Sequence, residues 1–144
     1  MSPEELRTRT ERFIEEVLNQ HNLAVVDQFI APEYLLQDSE PPIQGPDGYR
    51  QFIEGILVIF PDIHFTLDEF FAVGDKIAFR WSIQATHKGT WGVIPATGKT
   101  VRDKGIIISH VNAQGKTVEE WITNDGLGIL RQLGGLPTPT ATPA

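Results

Sequence analysis

The stretch Glu119-Glu120-Trp121-Ile122-Thr123-Asn124-Asp125-Gly126-Leu127-Gly128 combines acids, an aromatic and a hydroxyl at a spacing that could move a proton. It reads as a strand running into a short helix, with a carboxylate at the junction. Side chains alternate faces along a strand, so Glu119, Trp121, Thr123 and Asp125 share one side, and Val118, Glu120, Ile122 and Asn124 the other. The first set predicts a pocket rather than dry core. Moving a proton needs a base near the reacting atom and a group that stabilises the charge that develops. A carboxylate in an apolar chamber is a better base because desolvation disfavours its charged form. Asp125 is the candidate base, or else the N-cap of the helix beginning at Gly126, a role Asp commonly fills.

His110 and His87 are candidates for a general acid or an orienting partner of Asp125, and the other reading of each, which the residues alone favour, is a surface or structurally hydrogen-bonded histidine. A short turn joins the His110 strand to the motif strand, but His110 and Val111 point to opposite faces, and the sequence leaves open which enters. His64 faces solvent or a subunit contact, and His21 reads as structural. Trp81, Trp121 and the acid Glu119 are candidate walls for a flat substrate, with ordinary core as the other reading of the two aromatics. Trp91, in a Gly-rich loop, is a candidate lid.

The elements that position these groups follow from local signals. Ser2-Pro3-Glu4-Glu5 is a helix start with a capping box, and Leu6, Phe13, Ile14, Val17 and Leu18 continue one apolar face to about Gln20. Asn22 is expected to cap a second helix that Pro32 ends. Tyr34 to Asp38 reads as a short extended piece. Asp47 is expected to cap a third helix, carrying Tyr49, Phe52, Ile53, Ile56, Leu57 and Phe60 and stopped by Pro61. After Pro61 the period becomes two. Ile63, Phe65 and Leu67 lie on one strand, and Ile77, Phe79, Trp81 and Ile83 on the next, across a turn at 73–76. A loop from about Lys88 to Lys99 leads to a strand near 101–111. The turn at 112–116 precedes the motif strand, and Gly134-Gly135 ends a last helix. Helices first and a meander of strands afterwards predict an α+β domain over 1–135, its helices packed in a strongly curved, mostly antiparallel sheet. Such a cone-shaped barrel has a central pocket suited to a small molecule. Residues 136–144, rich in Pro and Thr, are expected to be a disordered tail.

The chain has 144 residues, a formal net charge of −7 and no cysteine. Disulfides, thiolate nucleophiles and cysteine-bound metals are excluded. The acidity argues against nucleic-acid or anionic-membrane partners. The longest apolar run, Ile56 to Phe60, is too short to cross a bilayer, and the start lacks a secretory h-region, so a cytoplasmic protein is expected. The four histidines have no metal-site spacing, and Gly126-Leu127-Gly128 lacks the third glycine of a dinucleotide fingerprint.

Several motifs carry a resemblance: Phe60-Pro61-Asp62, Thr86-His87-Lys88-Gly89, Pro95-Ala96-Thr97-Gly98-Lys99, Gly115-Lys116, and Glu119-x-Trp121-x-x-x-Asp125-x-Leu127-Gly128-x-Leu130-x-Gln132-Leu133-Gly134. With this element order, residues 4 to 135 resemble the SnoaL-like polyketide cyclases and ester cyclases, of the nuclear-transport-factor-like, ketosteroid-isomerase-like cone fold. The resemblance implies an intramolecular aldol ring closure on a small hydrophobic carbonyl substrate. An aspartate matching Asp125 would be the base, with no metal or cofactor. It adds weight to His87, places Tyr34, Gln37 and Asp38 where this fold contributes polar groups to its cavity, and implies a homodimer packed through the sheet. The chain departs from the family pattern at Val93, where a glycine is usual, and at Trp91, where phenylalanine is common. Substrate shape is therefore not carried over. Isomerase or epoxide hydrolase chemistry, a non-catalytic module for a small apolar ligand and a structural subunit are the competing functions. The epoxide hydrolase would require an Asp-Arg-Asp relay; Arg80 and Arg102 are present, but nothing in the sequence places either beside two pocket acids.

Overall fold

The computed structural model describes residues 1–37 and 39–135. The expectations for Asp38 and for the tail at 136–144 lie outside the described residues. Helix α1 (Pro3–Phe13) starts as its sequence predicts. Ser2 Oγ accepts from Glu5 N at 3.1 Å, and Glu5 Oε2 accepts from Ser2 N at 2.7 Å. It continues as a π-helical stretch over Ile14–Asn19, and the predicted apolar face is buried along both. The second helix is a 3₁₀ segment, Leu23–Gln28, and Asn22 makes no capping bond to it. Pro32 does not end that helix but lies inside strand β1 (Ile30–Leu36). Pairing of β1 with its neighbour is interrupted between Ile30 and Leu35, so no ladder bond is lost where proline lacks an N–H.

After a two-residue strand β2 (Ile43–Gln44), helix α2 (Gly45–Ile59) begins with Pro46 in its first turn. Gln44 occupies the cap position. Asp47, expected there, sits within the first turn and accepts from Arg50 Nη1 at 2.9 Å.

The remaining chain is a run of strands, β3 (His64–Val73), β4 (Lys76–Thr86), β5 (Thr100–Val111) and β6 (Thr117–Asn124), closed by helix α3 (Gly126–Gln132). The sheet order is β2-β1-β6-β5-β4-β3. Among the described residues only the β1–β6 pair is parallel. Both β2 and β3 are edges, so the curved sheet stays open, a cone rather than a closed barrel. Ile77, Phe79, Trp81 and Ile83 face inward as predicted and share one core with Leu6, Phe13, Val17 and Tyr49 from the helices.

The Thr86-His87-Lys88-Gly89 motif has a packing reason. Lys88 N and Gly89 N both donate to Ile59 O at the end of α2. A Cβ on Gly89 would stand 2.1 Å from Val58 O, so only glycine lets this loop reach the helix.

Candidate active site

Strand β5 sets the phase of β6. Its inward residues Val101, Ile107, Ser109 and Val111 are buried, and the register pairs Ile107 with Ile122 and Ser109 with Glu120. The inward set of β6 is therefore Glu120 and Ile122. Glu119, Trp121 and Thr123, expected to line the pocket, face outward instead. Alternation determines which residues share a side, but the partner strand determines which side is in.

Glu120 is 7% exposed and accepts from Tyr34 Oη at 2.5 Å and Ser109 Oγ at 3.1 Å. Burial raises its carboxyl above the ordinary range, opposed by these two hydrogen bonds and by Arg9. Burial, and then the Glu120 charge, push the Tyr34 hydroxyl up. Burial lowers the Arg9 guanidinium to about 10, and its Nη2 donates to Phe29 O at 2.6 Å and Thr117 Oγ1 at 2.7 Å.

On the outer face, His110 and Glu119 do meet, with Nδ1 to Oε1 at 2.7 Å. The Trp121 ring lies 5.1 Å from the imidazole, and Gln37 Nε2 donates to the second Glu119 oxygen at 3.1 Å. Val111, not His110, enters the core.

Asp125 stands where β6 ends. Its Oδ1 accepts from Gly128 N at 2.9 Å, capping α3. A Cβ on Gly128 would lie 2.3 Å from Asp125 Oδ2, so the glycine makes room for the carboxylate. Asp103 buttresses the junction: Oδ1 accepts from Lys104 N at 2.8 Å and Asp125 N at 3.0 Å, and Oδ2 from Asn124 Nδ2 at 2.9 Å. Gln132 then continues the ladder that β6 abandons. Its side-chain amide exchanges two 2.7 Å bonds with the main chain of Arg102.

The expected enclosed chamber is not present around this carboxylate. Asp125 is exposed, and among the described residues its Oδ2 has no hydrogen-bond partner. Asp125 borders two open clefts. One, of about 530 Å³, is lined also by His64, Thr66, Ser82, Gln84, Arg102 and Lys104. The other, of about 510 Å³, includes Trp81, Gly105, Thr123 and Lys104. Only Asp125 and Lys104 line both.

The other expected site residues are dispersed. His87 is fully buried, its Nδ1 accepting from Thr97 N at 3.2 Å and lying 2.9 Å from Thr97 Oγ1. It sits against Phe60 and anchors its loop rather than reaching Asp125. Trp81 is buried beside Gly105, and among the described residues its indole N–H has no partner. Trp91, expected as an exposed lid, is half-buried against the core and pairs with Ile94 through two backbone bonds. Tyr34 does supply a buried polar group, to Glu120.

The sequence reading missed Glu120, Ser109, Arg9 and Lys104. For the first two a signal existed, since Ile107 and Val111 mark the inward phase of β5. Among the described residues no group of three or more His, Asp or Glu is placed to hold a metal ion.

An open α+β cone of this element order is the architecture of the nuclear-transport-factor-like fold class. Residues 8–133 match the family model described as SnoaL-like polyketide cyclase, and the chain belongs to that family. Similar solved structures agree. A candidate polyketide cyclase from Acidithiobacillus ferrooxidans shares 26% identity over 94% of this chain and 99% of its own, with a TM-score of 0.80. TsrD from Streptomyces laurentii shares 26% identity over 94% and 99%, with a TM-score of 0.85. AclR from Streptomyces galilaeus, described as a candidate hydroxylase, shares 24% over 97% and 87%, with a TM-score of 0.83, and speaks for the fold alone. No curated protein sequence matches the chain.

Proposed function

We propose that this protein is a cofactor-independent acid–base enzyme acting on a small hydrophobic carbonyl compound, most concretely by intramolecular aldol ring closure. The observation that carries this reading is Asp125 Oδ2, unengaged and beside a cleft that it shares with Lys104. Oδ2 takes the proton α to a carbonyl, and the electron pair moves onto the carbonyl oxygen as an enolate. The Lys104 ammonium, in place of the expected histidines, stabilises that oxygen. The enolate carbon then attacks a second carbonyl of the same molecule, forming one C–C bond. The new alkoxide recovers the proton from Asp125, so the product is an isomer of the substrate. Exposure leaves the base without the desolvation expected of it, so catalysis rests on placement.

The test is Asp125→Asn with a cyclisable polyketide-like ester. Asn caps helices about as well as Asp, so folding and ligand affinity should persist while turnover falls by about a hundredfold or more. Retained turnover would defeat the proposal. Non-catalytic ligand binding is the second reading, favoured by the 2.9 Å cap that occupies Oδ1, and it predicts no proton exchange at the α carbon of a bound ketone. Epoxide hydrolysis through an Asp-Arg-Asp relay is less well supported. Arg102 shares the cleft with Asp103 and Asp125, but both Asp103 oxygens are occupied.

We further propose a homodimer through the outer sheet face, where Phe71, Val73, Ile106 and Ile108 are exposed. No helix among the described residues is long and apolar enough to cross a membrane. A cytoplasmic location belongs to the same proposal.

A further inference from the structure

Around Asp125 the outer face of the sheet is built of polar side chains in two rows. The β3–β4 and β4–β5 registers align His64, Gln84 and Arg102 across three strands, and Thr66, Ser82 and Lys104 two residues further along. Cross-strand neighbours on one face stand about 5 Å apart, and residues two apart on a strand about 7 Å. All six line the 530 Å³ cleft, but of the six only Lys104 also lines the second cleft beside Asp125. The Arg102 row is thus the far wall.

Among the described residues neither Arg102 nor Lys104 lies within ion-pair distance of a carboxylate. The nearest acid in sequence, Asp103, has both oxygens engaged. A guanidinium in a concavity, with an imidazole and an amide in its row and no carboxylate within ion-pair distance, is suited to a planar oxyanion. This arrangement is notable on a chain of net charge −7.

The geometry points to a substrate that carries a free carboxylate, held by Arg102 with Gln84 and His64, so that its carbonyl end reaches Lys104 and Asp125. This refines the proposed function by naming the substrate class, and it rests on that reading. The carboxylate is chosen over a phosphate because its two coplanar oxygens match the planar guanidinium and the amide of one row.

The probes are anthraquinone carboxylate, its methyl ester and the corresponding phosphate, titrated calorimetrically against the full chain. We expect the carboxylate to bind about fivefold tighter than the ester at low salt, as suits one or two solvent-exposed charge pairs. Added salt should remove that preference. Arg102→Gln should abolish the preference without weakening the ester, and Arg102→Lys should restore part of it. Substitution should leave α3 docked, because Gln132 holds only the Arg102 main chain. Asp125→Asn should tighten the carboxylate and leave the ester unchanged.

Equal binding of acid and ester, tighter binding of the phosphate, or no binding of any probe overturns the inference. The two proposals fail separately. An active Asp125→Asn variant sinks the catalytic reading while the acid preference is still measured, and an inactive one stands even if acid and ester bind alike.

Discussion

Two carboxyl groups five positions apart, Glu120 on β6 and Asp125 at its end, have opposite environments. Asp125 is exposed and half engaged, which suits a group that must meet substrate. Glu120 is buried and satisfied by Tyr34 and Ser109, which suits a structural polar core. The folded Glu120 carboxyl is raised above its ordinary value of 4.5, chiefly by burial. Between the unfolded and folded values the native state binds more protons than the unfolded one. Its contribution to stability is therefore fully present below about pH 4.5 and is lost as pH rises toward the folded value. Glu120→Gln keeps acceptor and donor but cannot titrate, so urea midpoints measured from pH 4 upward should fall less steeply than in the native chain, about one proton's worth of slope. Glu120→Ala, which strands the Tyr34 hydroxyl and leaves a cavity, should cost about 2–4 kcal/mol in the same assay.

At the scale of elements, the position of Asp125 is set by how β6 stops. The strand ends at Asn124, Asp103 collects the freed N–H groups, and Gln132 substitutes for the missing strand on Arg102. The Gln-Leu-Gly end of the motif thus has a positional reason, with Leu133 buried and Gly134 at φ 83° turning the chain. Gln132→Ala should lower stability by about 1–2 kcal/mol, measured by thermal melting, and reduce turnover, because α3 would no longer hold the cap that seats Asp125. Unchanged stability would show that Leu133 and Ile129 alone dock the helix. Gly105 belongs to the same construction: a Cβ there would meet Thr123 O at 1.8 Å and the Trp81 indole at 2.4 Å.

For the whole molecule, the outer sheet face divides in two. One half carries Phe71, Val73, Ile106 and Ile108, exposed by 62%, 79%, 49% and 45%. The other carries the polar rows beside Asp125. A second copy covering the apolar half would leave the 530 Å³ cleft uncovered, while Ile106 also borders the smaller cleft, and apolar patches of this kind mark interaction sites. Ile108→Lys should shift the chain from dimer to monomer in light scattering after size exclusion. A native chain that is already monomeric would remove the dimer from the proposal.

Local chemistry alone determined much of this protein. The capping box at Ser2, the period change after Pro61, the inward apolar set of β4 and the Asp125 cap at a strand–helix junction are short-range properties and were legible in the residues. Pro32 and Asp47 were misplaced because helix boundaries depend on pairing and packing beyond the local window. The facing of Glu119, Glu120, Trp121 and His110 was decided only by tertiary structure. A strand's own alternation is symmetric between its two sides, and the asymmetry arises when the apolar phase of β5 meets the helices and its register carries that choice to β6. The openness of the site was decided in the same way, since whether a carboxylate meets water depends on which elements close over it.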